Sequence, residues 1–390
     1  MRILYISDVN FSSENAPPIH VKAIVNNLSK LGNKMFLIAQ KTGNIGIRAK
    51  IKYLRTTRIN VLKAIVFNLK LFFILPKYIK KNKIDAIYTR QSGSLIAPTI
   101  VSWLFSIPFL TEVNGNMEEE MIELDKHRFF IKINNFVEEL SYNIAKKIIV
   151  MTPNLKRYLI KKYKIQSRKI IVIENGVDSE ILKPLEKNLC KSKLKLNKNY
   201  YYLCYVGNFT PWQGLESLIK SFKESSISFP NIKLLLIGDG KLKDNLVRLS
   251  KDYGLENKVI FVGKVKHKLI SYYIGSSEIC FAPFTKERNK RMGNSAFKIY
   301  EYASCGKPII TTHPNFVTKN KCGLIAEAEN PEELAKKTIH LLNNPRIARK
   351  MGKNGRKAIL KSYSWGNVAE ITQKLIKKVI KENKNENPSK

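Results

Sequence analysis

Two successive series of short apolar runs, each followed by a stretch of helical periodicity, limit most strongly how this chain folds. In the first series the runs fall at 3–7, 35–39, 86–88, 109–113, 148–151 and 170–173, with helical spacing at 21–31, 95–105 and 129–145. Strands separated by helices long enough to cross back predict parallel βαβ units. The second series opens with a run at 202–206 that stops on Gly207, followed by a helix over 215–222. The stretches IKLLLIGDG, KVIFVG, EICFAPF and KPIITT continue it, with helices over 331–342 and 348–361. Between the series, residues 183–200 are polar and basic without a clear period, as in a linker. The predicted class is α/β: two Rossmann-like, doubly wound domains, 1–182 and 201–362, facing across a cleft. A last segment, 363–390, is helical at first and free to pack back on the first domain. Ligands of such sheets sit beyond the carboxyl ends of the strands, so the cleft is the expected site.

A chain of 390 residues has room for two such domains. MRILYISDV reads as a first strand and not as a secretory leader, so a cytoplasmic protein is expected. Five cysteines without paired spacing read as reduced, buried thiols, and no zinc site is suggested. The net charge of +38 has two readings, attraction to polyanions or a compositional bias toward lysine, and the sequence leaves both open. Nucleic acid is the weaker partner, because zinc-finger spacing, an aromatic ribonucleoprotein signature and a clustered arginine run are all missing. An anionic membrane surface fits better: KAIVFNLKLFFILPKYIKKNK, 63–83, mixes Phe, Leu and Ile with Lys as an interfacial helix does. A domain-surface helix with one face in the core explains the same residues and is the preferred reading. Lys63, Lys70 and Pro76 interrupt the segment too often for a spanning helix.

The strongest chemical signal is NSAFKIYEYASCGKPII, 294–310. A helix over about 295–304 sets Lys298 and Glu301 one turn apart on one face. The open helix start and Lys298 favour an anion, and Glu301 can accept two hydrogen bonds from vicinal hydroxyls. A diphosphate beside a ribose presents those groups at about that separation. A surface salt bridge between the two residues, worth only ~0.3–0.5 kcal/mol, is the bland alternative. Gly207, with a helix beginning near Gln213, adds a strand–loop–helix turn whose amides can bind phosphate. Neither a dinucleotide fingerprint nor a P-loop accompanies it.

FKIYEYASCGKPII resembles the donor-binding segment of family 4 glycosyltransferases, which have the two-domain GT-B fold. VIENGVDSEILKP, YVGNFTPWQGLESLI, LLLIGDG, VIFVGKV and SYSWGNVAE are similar to other family segments, in the right order along nearly the whole chain. The resemblance implies retaining transfer of a sugar from a nucleoside-diphosphate sugar to a glycan or lipid-linked acceptor. It places the donor in the second domain. It implies that Glu301 binds the ribose, that Lys298 and the amides near Gly207 and Asn208 stabilise the departing diphosphate, and that the backbone of Gly263, Lys264 and Val265 meets the base. It implies no cofactor and no bound metal.

The chain departs from the family pattern in three places. Gly293 stands where the first of two glutamates is usual, so Asn294, Ser295 or their amides are the candidates to replace its contact with the donor sugar. Asn208 and Gln213 stand where an arginine and a lysine are common, which gives Lys298 more weight and leaves Lys286, Arg288, Lys290 and Arg291 as helpers. PWQG is similar to a branch of the family with Trp-x-Gly in that turn. In the amino domain, Asn114 takes the place of a usual histidine and is a candidate contact for the sugar. His20 either faces the cleft or sits at a surface helix start. The acidic run 118–120 reads as a solvated helix start. Two other functions stay open, a GT-B nucleotide-sugar epimerase and a non-catalytic binder of nucleotide sugars or polyanions.

Overall fold

The computed structural model describes residues 1–11, 16–40, 46–57, 60–91, 95–123, 126–292 and 297–386. Two compact units divide the chain, one holding 1–175 together with the segment from Trp365 onward, the other Gly176–Ser364.

The strands of the first unit are β1 (Arg2–Ser7), β2 (Lys34–Gln40), β3 (Lys50–Leu54), β4 (Ala86–Arg90), β5 (Phe109–Val113), β6 (Lys147–Val150) and β7 (Ile170–Val172). They form one parallel sheet in the order β3-β2-β1-β4-β5-β6-β7. The helices are α1 (Ala16–Lys30), α2 (Asn60–Asn82), α3 (Ala97–Leu104), α4 (Met117–Glu123), α5 (Arg128–Ile144) and α6 (Pro153–Tyr163). Both faces of a parallel sheet are covered, so its central strands read as continuous apolar runs. Period 2 then divides their side chains: Leu4 and Ile6 of β1 join Phe67 and Leu71 of α2, Val101 of α3, Tyr142 of α5 and Leu155 of α6 in one core. Thr152 caps α6 by accepting a hydrogen bond from the Leu155 amide (3.1 Å), and Pro153 begins the helix, where a missing N–H costs nothing.

The second unit has six parallel strands in the order β10-β9-β8-β11-β12-β13. They are β8 (Tyr201–Val206), β9 (Ile232–Ile237), β10 (Val259–Gly263), β11 (Ser277–Ala282), β12 (Ile309–Thr311) and β13 (Gly323–Ile325). Its helices are α7 (Lys187–Lys193), α8 (Leu215–Ser228), α9 (Lys243–Asp252), α10 (His267–Ser276), α11 (Lys286–Met292), α12 (Phe297–Ser304), α13 (Asn315–Asn320), α14 (Pro331–Asn343) and α15 (Pro345–Ala358). The final helix, α16 (Trp365–Glu386), belongs to the first unit. It packs on α1, and its Asn383 and Gln373 donate to the carbonyls of Ser106 (2.9 Å) and Leu31 (3.0 Å).

The stretch expected as a linker is in part a helix. α7 lies inside 183–200 and packs on α10, the Lys191 ammonium donates to the carbonyls of Lys198 (3.2 Å) and Tyr200 (2.7 Å), and Cys190 is buried. All five cysteines are buried, and none forms a disulfide. Among the described residues, no helix is long and apolar enough to cross a membrane.

Candidate functional site

In the second unit the chain runs outward from β8 to β9 on one side and to β11 and β12 on the other, so β8 and β11 flank the switch point where ligands of such sheets bind. The turn after β8 is drawn tightly against the segment after β11. Gly214 has φ +69°, and a Cβ there would stand 1.8 Å from the Pro283 carbonyl oxygen, so only glycine fits. The Thr285 amide donates to the Trp212 carbonyl (3.2 Å) and ties the two together.

Lys298, in the first turn of α12, reaches into this junction. Its ammonium donates to Gln213 Oε1 (2.6 Å) and to the Tyr205 hydroxyl (2.8 Å), and it lies 3.9 Å from the centre of the Tyr205 ring. The Tyr205 hydroxyl in turn donates to the Asn208 carbonyl (2.9 Å). Lys298 is buried. Burial, and then the charge of Arg288, hold its ammonium well below the ordinary lysine range, while Glu301 opposes the shift. Arg288, on α11, stacks 3.7 Å over the Phe284 ring. Its Nη1 is buried and has no hydrogen-bond partner among the described residues. Burial brings this guanidinium down to about 10, with Tyr205 opposing. His313, just past β12, is kept neutral by burial and by Arg288, at about 4. Arg288 and Lys298 thus share the Phe284 ring, the lysine 5.3 Å from its centre, and among the described residues the groups that accept from Lys298 are neutral. A buried charge of this kind is costly until an anion compensates it.

Glu301 does not close a surface ion pair with Lys298. It lies on the same helix with its carboxylate half withdrawn from solvent and 3.5 Å from His267 Nε2 at the start of α10. The turn formed by Gly263, Lys264 and Val265 leads directly into that histidine. Gly263 has φ +79°, and its carbonyl accepts from the Gly238 amide (3.0 Å). Lys264 is exposed, 4.0 Å from Asp239 Oδ2. A buried ammonium at Lys298 and a half-buried carboxylate at Glu301 therefore follow one another along α12 toward His267 and the 263–265 backbone.

The family model described as "Glycosyl transferases group 1" matches residues 186–358, and that described as "Glycosyltransferase Family 4" matches 18–181. Together the two models span most of the chain, which belongs to the group 1 glycosyl transferase family. An uncharacterized glycosyltransferase of Methanocaldococcus jannaschii is 27% identical over 67% of this chain and 65% of that protein. The capsular polysaccharide biosynthesis glycosyltransferase CapM of Staphylococcus aureus is 26% identical over 63% of this chain and 65% of its own length. The chain thus spans about two thirds of these two relatives. The structure of Anabaena HepE in complex with UDP and glucose superposes with a TM-score of 0.76 at 15% identity, covering 97% of this chain and all 100% of that one. The fold of this glycosyltransferase is GT-B.

Of the residues singled out in the sequence, Lys298, Gly207 and Gln213 meet at one place, with Glu301 one turn along α12. Asn208 is exposed and joins them through its carbonyl. Asn294 and Ser295 lie outside the described residues. His20 and Asn114 meet in the first unit, around a residue the sequence did not single out. Glu112, at the end of β5, is buried, with His20 Nε2 2.7 Å from its Oε1 and the Asn114 amide nitrogen donating to the same oxygen (2.6 Å). The Tyr88 hydroxyl donates to Oε2. Burial pushes this carboxyl up, but the charge and hydrogen bond of His20, together with Arg90 and Tyr88, outweigh it and bring it to about 2. His20 is therefore an interior group and not one at a surface helix start. Its Nδ1 lies 3.1 Å from Asn175 Oδ1 and its ring edge-on to Trp365 at 4.9 Å. Glu118, from the acidic run, pairs with Lys162 at 2.6 Å.

Gly207 has φ +149°, and a Cβ there would stand 2.7 Å from Lys298 Nζ and 3.0 Å from the Tyr205 hydroxyl. Gly207→Ala is expected to displace the ammonium while the sheet stays intact. Turnover should fall about tenfold or more, a barrier change of ~1.4 kcal/mol, with a melting temperature lowered by only a few degrees. Steady-state kinetics beside a thermal melt check it; unchanged turnover contradicts the placement of Lys298.

Proposed function

We propose that this glycosyltransferase moves a sugar, with retention at the anomeric carbon, from a nucleoside-diphosphate sugar to a glycan or lipid-linked acceptor. One observation carries the proposal: a buried, solvent-stripped lysine at the carboxyl end of β8 shares the Phe284 ring with an arginine whose Nη1 has no hydrogen-bond partner among the described residues, one helical turn from a half-buried glutamate. Breaking the bond between the anomeric carbon and the phosphate oxygen leaves the bonding electrons on the leaving diphosphate. Cations and amides already in place there are not reorganised as the charge grows, so they lower the barrier. In this proposal Lys298, with the amides at Gly207 and Asn208, holds the diphosphate, and Arg288 supplies the second positive charge in place of a metal. Glu301 accepts from the ribose hydroxyls, and the 263–265 backbone meets the base. Asn114 contacts the transferred sugar, and His20 positions it through Glu112. The UDP and glucose held by the Anabaena protein support the donor class, and the role of CapM in capsular polysaccharide supports the acceptor class.

The test is release of nucleoside diphosphate from a panel of uridine, guanosine and thymidine diphosphate sugars, with and without lipid-linked acceptors. One donor should be consumed. Glu301→Ala should lower kcat/KM for it by about 10–100-fold, as loss of a charged hydrogen-bond acceptor does. Tight binding without turnover of any donor would make the protein a nucleotide-sugar binder, and interconversion of free donors would make it an epimerase.

A further inference from the structure

We propose that the outer faces of α2 and α3 form a surface that lies on an anionic lipid bilayer. α2 is apolar on two sides. Phe67, Leu71, Leu75 and Ile79, four residues apart, enter the core of the first unit. On the far side Ile65, Leu69 and Phe73 form a second row that stays open, with Phe73 76% exposed. A helix that buries only one of two apolar rows against its own domain has a face made for another apolar medium. Trp103, 65% exposed, and Leu104 are open on α3, which packs beside α2 and is pinned to it where Asn68 Oδ1 accepts from the Ile96 and Ala97 amides (3.0 Å each).

Charge selects the occupant. α2 carries five lysines and no acidic residue, and α3 carries no charge at all. Lys63, Lys70, Lys77 and Lys81 recur at helical spacing and so run down one flank of the open apolar row. An apolar stripe edged by lysines, with an aromatic at its rim, has the chemistry of a helix seated in the headgroup region of an anionic membrane. A second copy of the chain would set this basic face against itself, in a molecule of net charge +38.

The experiment is flotation of the full chain with vesicles of phosphatidylcholine alone or mixed with phosphatidylglycerol. Binding is expected to the mixed vesicles only, and to fall as salt screens the lysines. The Leu69→Asp/Phe73→Asp variant should float at least tenfold less well, as should Trp103→Asp, while both keep the parent melting temperature and circular dichroism spectrum. If the wild-type chain does not float with phosphatidylglycerol, or the aspartate variants float as it does, the proposal is overturned. Sedimentation velocity covers the remaining outcome: a dimer that the double variant dissociates would make this face an interface between copies instead.

Discussion

Replacing Lys298 by methionine is expected to lower donor turnover by about 10²–10³-fold while the protein still folds. Removal of one well-placed donor to a developing anion costs about 2.7–4 kcal/mol at the transition state. The ammonium is buried, its hydrogen-bond partners are the neutral Tyr205 and Gln213, and it sits beside a second cation in Arg288. No bulk-water charge can replace it from outside. The same desolvation makes it a burden on the free protein. An apolar side chain of similar length removes a charge that burial disfavours, so the melting temperature of Lys298→Met should match or exceed the parent's. Loss of turnover with undiminished stability separates a catalytic lysine from a structural one. Linkage supplies a second signature. Burial, and next Arg288, lower the folded-state value of Lys298, so the unfolded chain holds that proton more tightly. The unfolded state then binds more protons, and this residue's contribution to stability improves as pH rises toward the ordinary lysine value. Catalysis that needs the ammonium runs the other way and declines as pH rises.

Replacing Glu112 by alanine is expected to cost about 3–5 kcal/mol of stability, the penalty for breaking a buried pair and stranding its partners. His20 Nε2, the Asn114 amide and the Tyr88 hydroxyl all converge on this carboxylate. With Glu112 gone, each loses a partner, His20 and Tyr88 in the buried interior, and the start of α1 loses its tie to the end of β5. The pH dependence follows from the direction of the shift. Burial alone would raise the carboxyl, but His20, Arg90 and Tyr88 hold it at about 2. A carboxyl with a folded value below its unfolded value of about 4.3 stabilises the native state above that value, and the stabilisation is lost as pH falls from there toward 2. Urea unfolding of the full chain, followed at Trp365 whose ring lies against His20, should show the midpoint of the first unit falling between pH 5 and pH 3. In Glu112→Gln that fall should be much shallower. Equal slopes in parent and variant would show that the carboxylate is not the hub of the network.

The sequence made most of the strands legible because both units are built on continuous apolar runs. β1, β2, β5, β8 and β9 lie where four to six consecutive residues are buried, and alternation with helices suffices to make them parallel. β3 escaped because it is an edge strand: KIKYL carries Lys50 and Lys52, and charge on an edge suppresses both unwanted pairing and the apolar signal. β13 is three residues long, too short to show a period. α7 was hidden inside a lysine-rich stretch, since its stability comes from a buried cysteine and from Lys191 reaching two carbonyls, neither of which has a periodic signature.

The site was legible as residue types and not as contacts. Lys298 and Glu301 stand on one helix, so spacing alone brings them together. Nothing local says that Lys298 turns away from Glu301 to Tyr205 and Gln213, which only the packing of α12 against the β8 turn brings near. The neutral Gln213 is the partner that receives the lysine and not only the mark of a missing cation. Arg288 stood out as one of four neighbouring basic residues, and only folding selects it, by stacking it on Phe284. Glu112 lay within TEVNG beside Asn114, but the resemblance directed attention to the asparagine. His20, its main partner, comes from α1, the helix that links β1 to β2, and that distance in sequence hides the pair.

The most direct test is a crystal structure of the chain with the nucleoside diphosphate of whichever donor it consumes. The pyrophosphate is expected within hydrogen-bond distance of Lys298 Nζ and the Gly207 turn, with Arg288 turned toward the same phosphates and both ribose hydroxyls on Glu301. A nucleotide bound elsewhere, or bound here with Lys298 still held by Tyr205 and Gln213 and remote from every phosphate oxygen, would contradict that arrangement.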